Sequence, residues 1–225
     1  LVGRPDVDVV VELMGGIEPA RSLLLQAMAR GASVVTANKA LLAVDGATLY
    51  EAADAAGVDL YYEASVAGAI PLLRPLRESL VGDNVHRVLG IVNGTTNFIL
   101  SEMRAKGLDF GDVLREAQRL GYAESDPTFD IEGVDAAHKA TIMSAIAFGI
   151  PMQFDRAYVE GISKLQAADI GYAEQLGYRI KLLGITKRTD HGIELRVHPT
   201  LVPAKRLIAN VEGPMNAVLV KADAV

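Results

Sequence analysis

No cysteine and no tryptophan occur in the 225 residues, and aromatics make up only 5% of them. Without thiols there are no disulfides and no thiolate metal centres, and the four histidines (His86, His138, His191, His198) lack ligand-like spacing, so zinc is not expected. No apolar run approaches the ~20 residues that a membrane-spanning helix needs, and the first residues do not form a basic-then-apolar signal. A soluble cytoplasmic protein with no membrane partner is the simplest reading. Positive charge is also scarce: 22 Lys and Arg stand against 28 Asp and Glu, a formal charge of −6. No basic stripe interleaved with aromatics is present, which argues against nucleic acid and for a small-molecule ligand. What is abundant is apolar residues, 50% of the chain with 22% charged, the composition of a folded core in one large or two modest domains.

The order of patterns divides the chain. "VDVVVEL" (7–13), "ASVVTA" (32–37) and "VDLYYEA" (58–64) read as short buried strands. "EPARSLLLQAMARG" and "NKALLAVDGATLYEAADAAG" read as helices between them, the second with a break near Gly46. Alternation of this kind predicts βαβ units and a parallel sheet, so residues 1–62 are expected to be part of a doubly wound, Rossmann-like α/β domain. From 63 to 225 the pattern changes to α+β. Helices are expected at 67–82, 97–107 and 110–121 and from Val134, strands at 85–92, 178–189, 192–202 and 216–223. No G-x-G-x-x-G occurs, and both ends open or close abruptly in strands, so the chain is expected to be part of a longer polypeptide whose first βαβ unit lies outside it.

Ligands of doubly wound sheets lie beyond the carboxyl ends of the strands. There the sequence offers Met14, Gly15 and Gly16 after the first strand and Lys39 after the second, positions that also suit a plain turn and a surface lysine. "YEASVAGAIP" ends a strand in Glu63 and continues into small residues, so the carboxylate and the carbonyls of Val66, Gly68 and Ile70 could converge on a hard cation; on spacing alone a buried capping glutamate is the better fit. "IVNGTTNFIL" brings a strand into a helix start, an anion site or an ordinary N-cap by Thr95 or Thr96. The densest charge is "GYAESDPTFDIEGVDAAHK" (121–139), with Glu124, Asp126, Asp130, Glu132 and Asp135 ahead of Lys139. Asp135 and Lys139 lie four apart on one helix face, the favourable order for an ion pair. An exposed pair or a polar site at the end of an apolar helix are both open on spacing alone, and an EF-hand is excluded because its glycine and glutamate positions fail.

Taken together, these motifs resemble the homoserine dehydrogenase family. The stretch from Ala117 through Gly121, Tyr122, Asp126, Pro127, Asp130, Gly133 and Asp135 to Lys139 carries the most specific likeness. "ELMGG", "TANKALLA", "YEASVAGAIP", "GIVNGTTNFIL" and "HPTLVP" follow the family in the same order. The resemblance implies reversible NADP- or NAD-dependent reduction of L-aspartate 4-semialdehyde to L-homoserine, on the route to threonine, methionine and isoleucine, by a homodimer or homotetramer. It implies Lys139 as acid/base and Glu124 and Asp135 on the substrate; on chemical grounds Lys39 is a second candidate donor, and Thr95 at the "NGTT" helix start and Asp130 are expected as further substrate contacts. It also implies Lys39 and Gly121 near the nicotinamide cofactor, where the strand-end position of Met14 and Gly15 puts them too, and a sodium ion at Glu63, Val66, Gly68 and Ile70. Residues 63–225 would then be a catalytic and dimerisation domain. Lacking the Gly-rich turn, the 225 residues alone are expected to be inactive, and the activity to belong to the parent enzyme.

Overall fold

A computed structural model describes residues 2–224. By internal contacts the chain divides into two units, Leu1–Gly82 with Thr141–Asp155, and Asp83–Ala140 with Arg156–Val225.

In the first unit, β1 (Val9–Glu12), β2 (Ser33–Thr36) and β3 (Leu60–Tyr61) form an all-parallel sheet in the order β1-β2-β3. Helices α1 (Ala20–Ala29) and α2 (Lys39–Ala56) make the crossovers. Val10, Val34 and Leu60 share a row across the sheet and are buried, as are Leu24, Ala27 and Met28 of α1 and Leu41, Leu42 and Leu49 of α2. Valine alternation thus gives each strand one inner face, while Val9 and Val11 point outward at 53% and 59% exposure. The break expected near Gly46 falls at Asp45, whose φ of −138° interrupts α2. Gly46 itself leaves room for Met152, since a Cβ there would come within 2.8 Å of the Met152 sulfur.

The helix expected at 67–82 is replaced by something shorter. Ala67 and Gly68 both have positive φ (56° and 41°), and only residues 73–79 coil, with a π turn over Pro75–Ser79. Two prolines, Pro71 and Pro75, each remove an amide donor, so apolar spacing alone could not extend the helix.

The second unit holds a five-stranded sheet in the order β5-β7-β6-β4-β8, made of β4 (Val85–Ile91), β5 (Tyr158–Val159), β6 (Tyr178–Thr189), β7 (Gly192–Pro203) and β8 (Ala217–Ala222). All neighbours are antiparallel except β5 on β7. Helices α3 (Gly94–Lys106), α4 (Phe110–Leu120), α5 (Thr128–Ile131), the start of α6 (Val134–Phe148) and α7 (Ala167–Gln175) complete it. Helix α6 lies close on β6 because Gly184 has no side chain: a Cβ there would stand 3.2 Å from that of Ala140. Contacts therefore group residues 63–82 and 141–155 with the parallel sheet, whereas the pattern change in the sequence falls at 62/63. Strand β5 and helix α7 lie in a region where the sequence pattern predicts no element.

Candidate active site

The acidic stretch folds as a helix stop, a short coil and a helix start. Helix α4 ends at Gly121, which takes the left-handed conformation (φ 80°) that its C-cap requires, while the amides of Tyr122 and Ala123 bond back to the Ala117 carbonyl. Asp126 accepts from the Thr128 amide at 3.1 Å and heads α5, a turn of helix inside what the sequence predicts as loop. Bonds from the Thr128 hydroxyl and amide hold the Asp126 carboxyl below the usual carboxylate range. Gly133, again left-handed at φ 81°, then releases the chain into α6.

The first two turns of α6 carry Asp135 and Lys139. Lys139 Nζ donates to Asp135 Oδ2 and to the Val92 carbonyl, both at 2.7 Å, and the pair is largely buried, with side-chain exposures of 16% and 5%. Asn93, buried at the end of β4, donates from Nδ2 to the same Asp135 oxygen at 2.9 Å and to Asp130 Oδ1 at 2.7 Å. Two carboxylate oxygens on one nitrogen lie within about 6 Å of each other, a repulsion of roughly 3 kcal/mol at an effective dielectric near 20.

Helix α3 begins one turn earlier than expected. Its N-cap is Asn93, not Thr95 or Thr96: Asn93 Oδ1 accepts the Thr96 amide at 2.8 Å. The Thr95 hydroxyl donates to the Tyr122 carbonyl at 2.7 Å and lies 3.3 Å from Asp130 Oδ2, tying the helix start to the acidic stretch. Lys139, Asp135, Asp130 and Thr95 are thereby brought together. Glu124 is exposed, and among the described residues its carboxylate has no bond or ion pair; only its carbonyl is engaged, by Gln118. The linking residue, Asn93, is absent from the expected set.

A separate network orders the strand ends of the first unit. The buried Glu12 carboxylate accepts the amides of Met14 (2.7 Å) and Gly15 (3.0 Å) and the Thr36 hydroxyl (2.6 Å). The Asn38 amide nitrogen of the backbone donates to Thr36 Oγ1, and the Asn38 side chain donates to the Gly16 carbonyl while capping α2 at Leu41. Lys39 is the first residue of α2. Gly15 and Gly16 both have φ near 75° and a Cβ at Gly15 would meet nothing within 4 Å, so the loop presents an open backbone face beside the exposed Leu13 and Met14. Sequence pattern marks the loop but not Glu12, whose only signal is a charged residue in an apolar strand.

The Glu63 carboxylate is used as a cap. Oε1 accepts the amides of Leu72 (2.6 Å) and Leu73 (2.8 Å), and Oε2 that of Arg74 (2.7 Å), at the start of the coiled segment. The carboxylate thus serves three amides, the capping role that spacing alone favours, where the family resemblance aims it at a cation. Among the described residues the carbonyls of Val66, Gly68 and Ile70 accept no hydrogen bond, and Val66 is 0% exposed. No cluster of three or more His, Cys, Asp or Glu suited to a metal occurs among the described residues.

Parallel strands with ligand loops at their carboxyl ends define the first unit as a nucleotide-binding domain, joined to an α+β unit that carries an acid and lysine cluster. A family model described as "Homoserine dehydrogenase, NAD binding domain" matches residues 1–63, and one described as "Homoserine dehydrogenase" matches residues 71–225. More particularly, the chain belongs to the homoserine dehydrogenase family. It is 61% identical to the homoserine dehydrogenases of Pseudomonas aeruginosa and Neisseria gonorrhoeae, over 99% and 100% of this chain and 51% and 52% of theirs. The crystal structure of the Thiobacillus denitrificans homoserine dehydrogenase superposes with a TM-score of 0.99 at 66% identity, covering 100% of this chain and 52% of that one. A hyperthermophilic archaeal homoserine dehydrogenase in complex with NADPH matches with a TM-score of 0.83 at 28% identity, covering 97% and 63%. The chain spans about half the length of the curated relatives it matches. Among the described residues no helix is long and apolar enough to cross a membrane.

Proposed function

We propose that this chain is the core of a cytoplasmic homoserine dehydrogenase, which interconverts L-aspartate 4-semialdehyde and L-homoserine with NADP(H) or NAD(H). The observation that carries this reading is the cluster of Lys139 and Asp135 with Asp130 beside it, joined through the buried Asn93. An α-ammonium would pair with its carboxylates. Asp135, Asp130 and, after a side-chain rotation, Glu124 would hold the ammonium, and the Thr95 end of α3 would receive the α-carboxylate. Lys139 has three N–H donors and spends two on Val92 and Asp135. Its third would meet the substrate's side-chain oxygen, donating a proton as alkoxide charge develops and taking it back in the reverse direction. A bound nicotinamide supplies or accepts the hydride. Met14, Gly15, Lys39 and Gly121 would approach that cofactor, Gly121 through the exposed backbone of the α4 C-cap; Lys39 is the alternative proton donor.

Two finer assignments go with this reading. The carbonyls of Val66, Gly68 and Ile70, which accept no hydrogen bond among the described residues, suit a sodium ion, with Glu63 contributing negative charge through its remaining Oε2 lone pair. The apolar face of the five-stranded sheet suits a second copy of the chain. For the central claim the test is Lys139→Ala in the intact enzyme. Homoserine-dependent NADP reduction should fall by about two orders of magnitude or more, the scale of acid/base catalysis, with cofactor affinity retained. Unchanged turnover would remove Lys139 from the mechanism, and an equal loss in Lys39→Ala alone would move the role there.

A further inference from the structure

Glu12 ends β1 with a charged side chain where the strand is otherwise valine, and its carboxylate is spent on the loop that follows. Oε1 accepts the amides of both Met14 and Gly15, at 2.7 and 3.0 Å, and Oε2 accepts the Thr36 hydroxyl at 2.6 Å. A peptide unit is planar and trans, so its N–H and C=O point in opposite directions. With both N–H groups turned in to Glu12, the carbonyls of Leu13 and Met14 point away from the carboxylate. Both residues are exposed, and among the described residues neither carbonyl accepts a hydrogen bond. Further along the loop the Gly16 carbonyl receives the Asn38 side chain and that of Ile17 the Arg21 amide.

The βα turn of a doubly wound sheet ordinarily offers N–H groups to phosphate. In this loop a buried carboxylate has taken those N–H groups, and its own charge sits behind them. Phosphate is disfavoured on both counts. What remains is a pair of adjacent acceptors, which fits a ligand group that brings N–H donors and no negative charge. We infer that the Leu13 and Met14 carbonyls receive the carboxamide NH₂ of the nicotinamide, and that Glu12 is the positioning residue that turns them to it. The identity of the ring rests on the dehydrogenase reading above; the direction of the carbonyls does not. Thr36 carries the arrangement to the second strand, since its hydroxyl also accepts the Asn38 amide at 3.0 Å, and Asn38 caps the helix that begins at Lys39.

The test is binding, by the intact enzyme, of NADP and NAD against their 3-acetylpyridine analogues, in which a methyl group replaces the carboxamide NH₂. Wild type should bind an analogue about tenfold more weakly than its parent cofactor, the size of a hydrogen bond lost with its acceptor left unpaired. In Glu12→Ala the loop amides are released and the ratio should fall to about one. Glu12→Gln keeps an oxygen toward both amides and should keep most of the ratio. Structural damage alone would weaken parent and analogue alike and leave the ratio standing. Equal binding of the two by wild type, or a ratio unchanged in Glu12→Ala, would overturn the inference, and the first of these needs no variant to fold. Hydrogen exchange over residues 13–16 of the ligand-free enzyme checks the geometry separately: the Met14 and Gly15 amides should exchange slowly in wild type and rapidly in Glu12→Ala, and rapid exchange in wild type would also overturn it. A wild-type enzyme that binds none of these dinucleotides would overturn the functional reading, while slow exchange would still uphold the part of Glu12 in turning the loop.

Discussion

Lys181 is a charged residue in a place that disfavours charge. Its side chain on β6 is 3% exposed, and burial lowers its pKa to about 8, against the pull of Glu212 and with Arg104 and Arg179 adding to the lowering. Nζ donates to Asn97 Oδ1 (3.1 Å) and the Val211 carbonyl (2.6 Å), two acceptors that match the two N–H groups of a neutral amine. Asn97 stands one turn after Asn93 on α3, so this contact braces the helix that carries the candidate site. The sign of the pH effect follows from linkage. Below about pH 8 both folded and unfolded chains hold the proton, and the cost of burying it is present in full. Between about 8 and the ordinary value of 10.5 only the unfolded chain holds it, so stability rises with pH, by up to about 3 kcal/mol in all. Methionine at this position cannot titrate. The stability of wild type relative to Lys181→Met, from urea unfolding, should therefore grow by about 2 kcal/mol between pH 7.5 and 9.5. A difference that does not change with pH would show that the lysine is not the titrating group.

At the scale of elements, the turn from Glu63 to Arg74 joins two uses of backbone polarity. The Glu63 carboxylate satisfies three amides at one end, while Val66, Gly68 and Ile70 leave their carbonyls unsatisfied at the other. If sodium fills the second need, exchanging choline for sodium at constant ionic strength should stabilise the protein. At ten times its Kd the gain is about 1.4 kcal/mol, a few degrees in Tm; identical melting in both salts would remove the ion from the site. This turn is also where local pattern misleads. Ile70, Leu72, Leu73 and Leu76 carry helical spacing, but Pro71, Pro75 and the positive φ at Ala67 decide the backbone. The strands of both sheets apart from β5 were legible because apolar alternation and burial leave a local trace, and the Asp135 and Lys139 pair because four residues is about one helical turn. Asn93 was not legible: its oxygen acts locally, in a cap that three residues of "NGTT" fit by type, whereas its donors act on α5 and α6. Gly161 was hidden for the same reason. A Cβ there would lie 2.3 Å from the Ile131 carbonyl, so the chain leaving β5 packs directly on the end of α5, a contact that no spacing rule encodes.

At the scale of the whole molecule, one face of the five-stranded sheet remains to be covered. Leu219, Leu89, Ile185 and Arg196 form a row across β8, β4, β6 and β7, next to the row of Lys221, Arg87, Lys187 and Glu194. A cavity of about 510 Å³ opens on this face, and Leu201, Leu207 and Leu219 around it are 54%, 86% and 39% exposed. Ile208 and Ala209 cover only part of the sheet, packing with Ile91, Leu183, Ile185 and Val202. A two-fold interface must be complementary to itself, and an apolar row flanked by Arg196, Lys187 and Glu194 meets that condition, since a second copy brings acid to base and leucine to leucine. A charge placed in the row is then felt twice, once from each copy. Leu219→Glu should weaken self-association by about a hundredfold or more, two losses each of the order of a desolvated leucine. In sedimentation velocity at micromolar concentration the wild type should run as a dimer or larger and the variant shift toward monomer. Position 219 is exposed at a sheet edge, so the monomer's own melting should change little. Unaltered sedimentation of the variant would mean that the copies meet elsewhere, or that this face serves another part of the parent polypeptide.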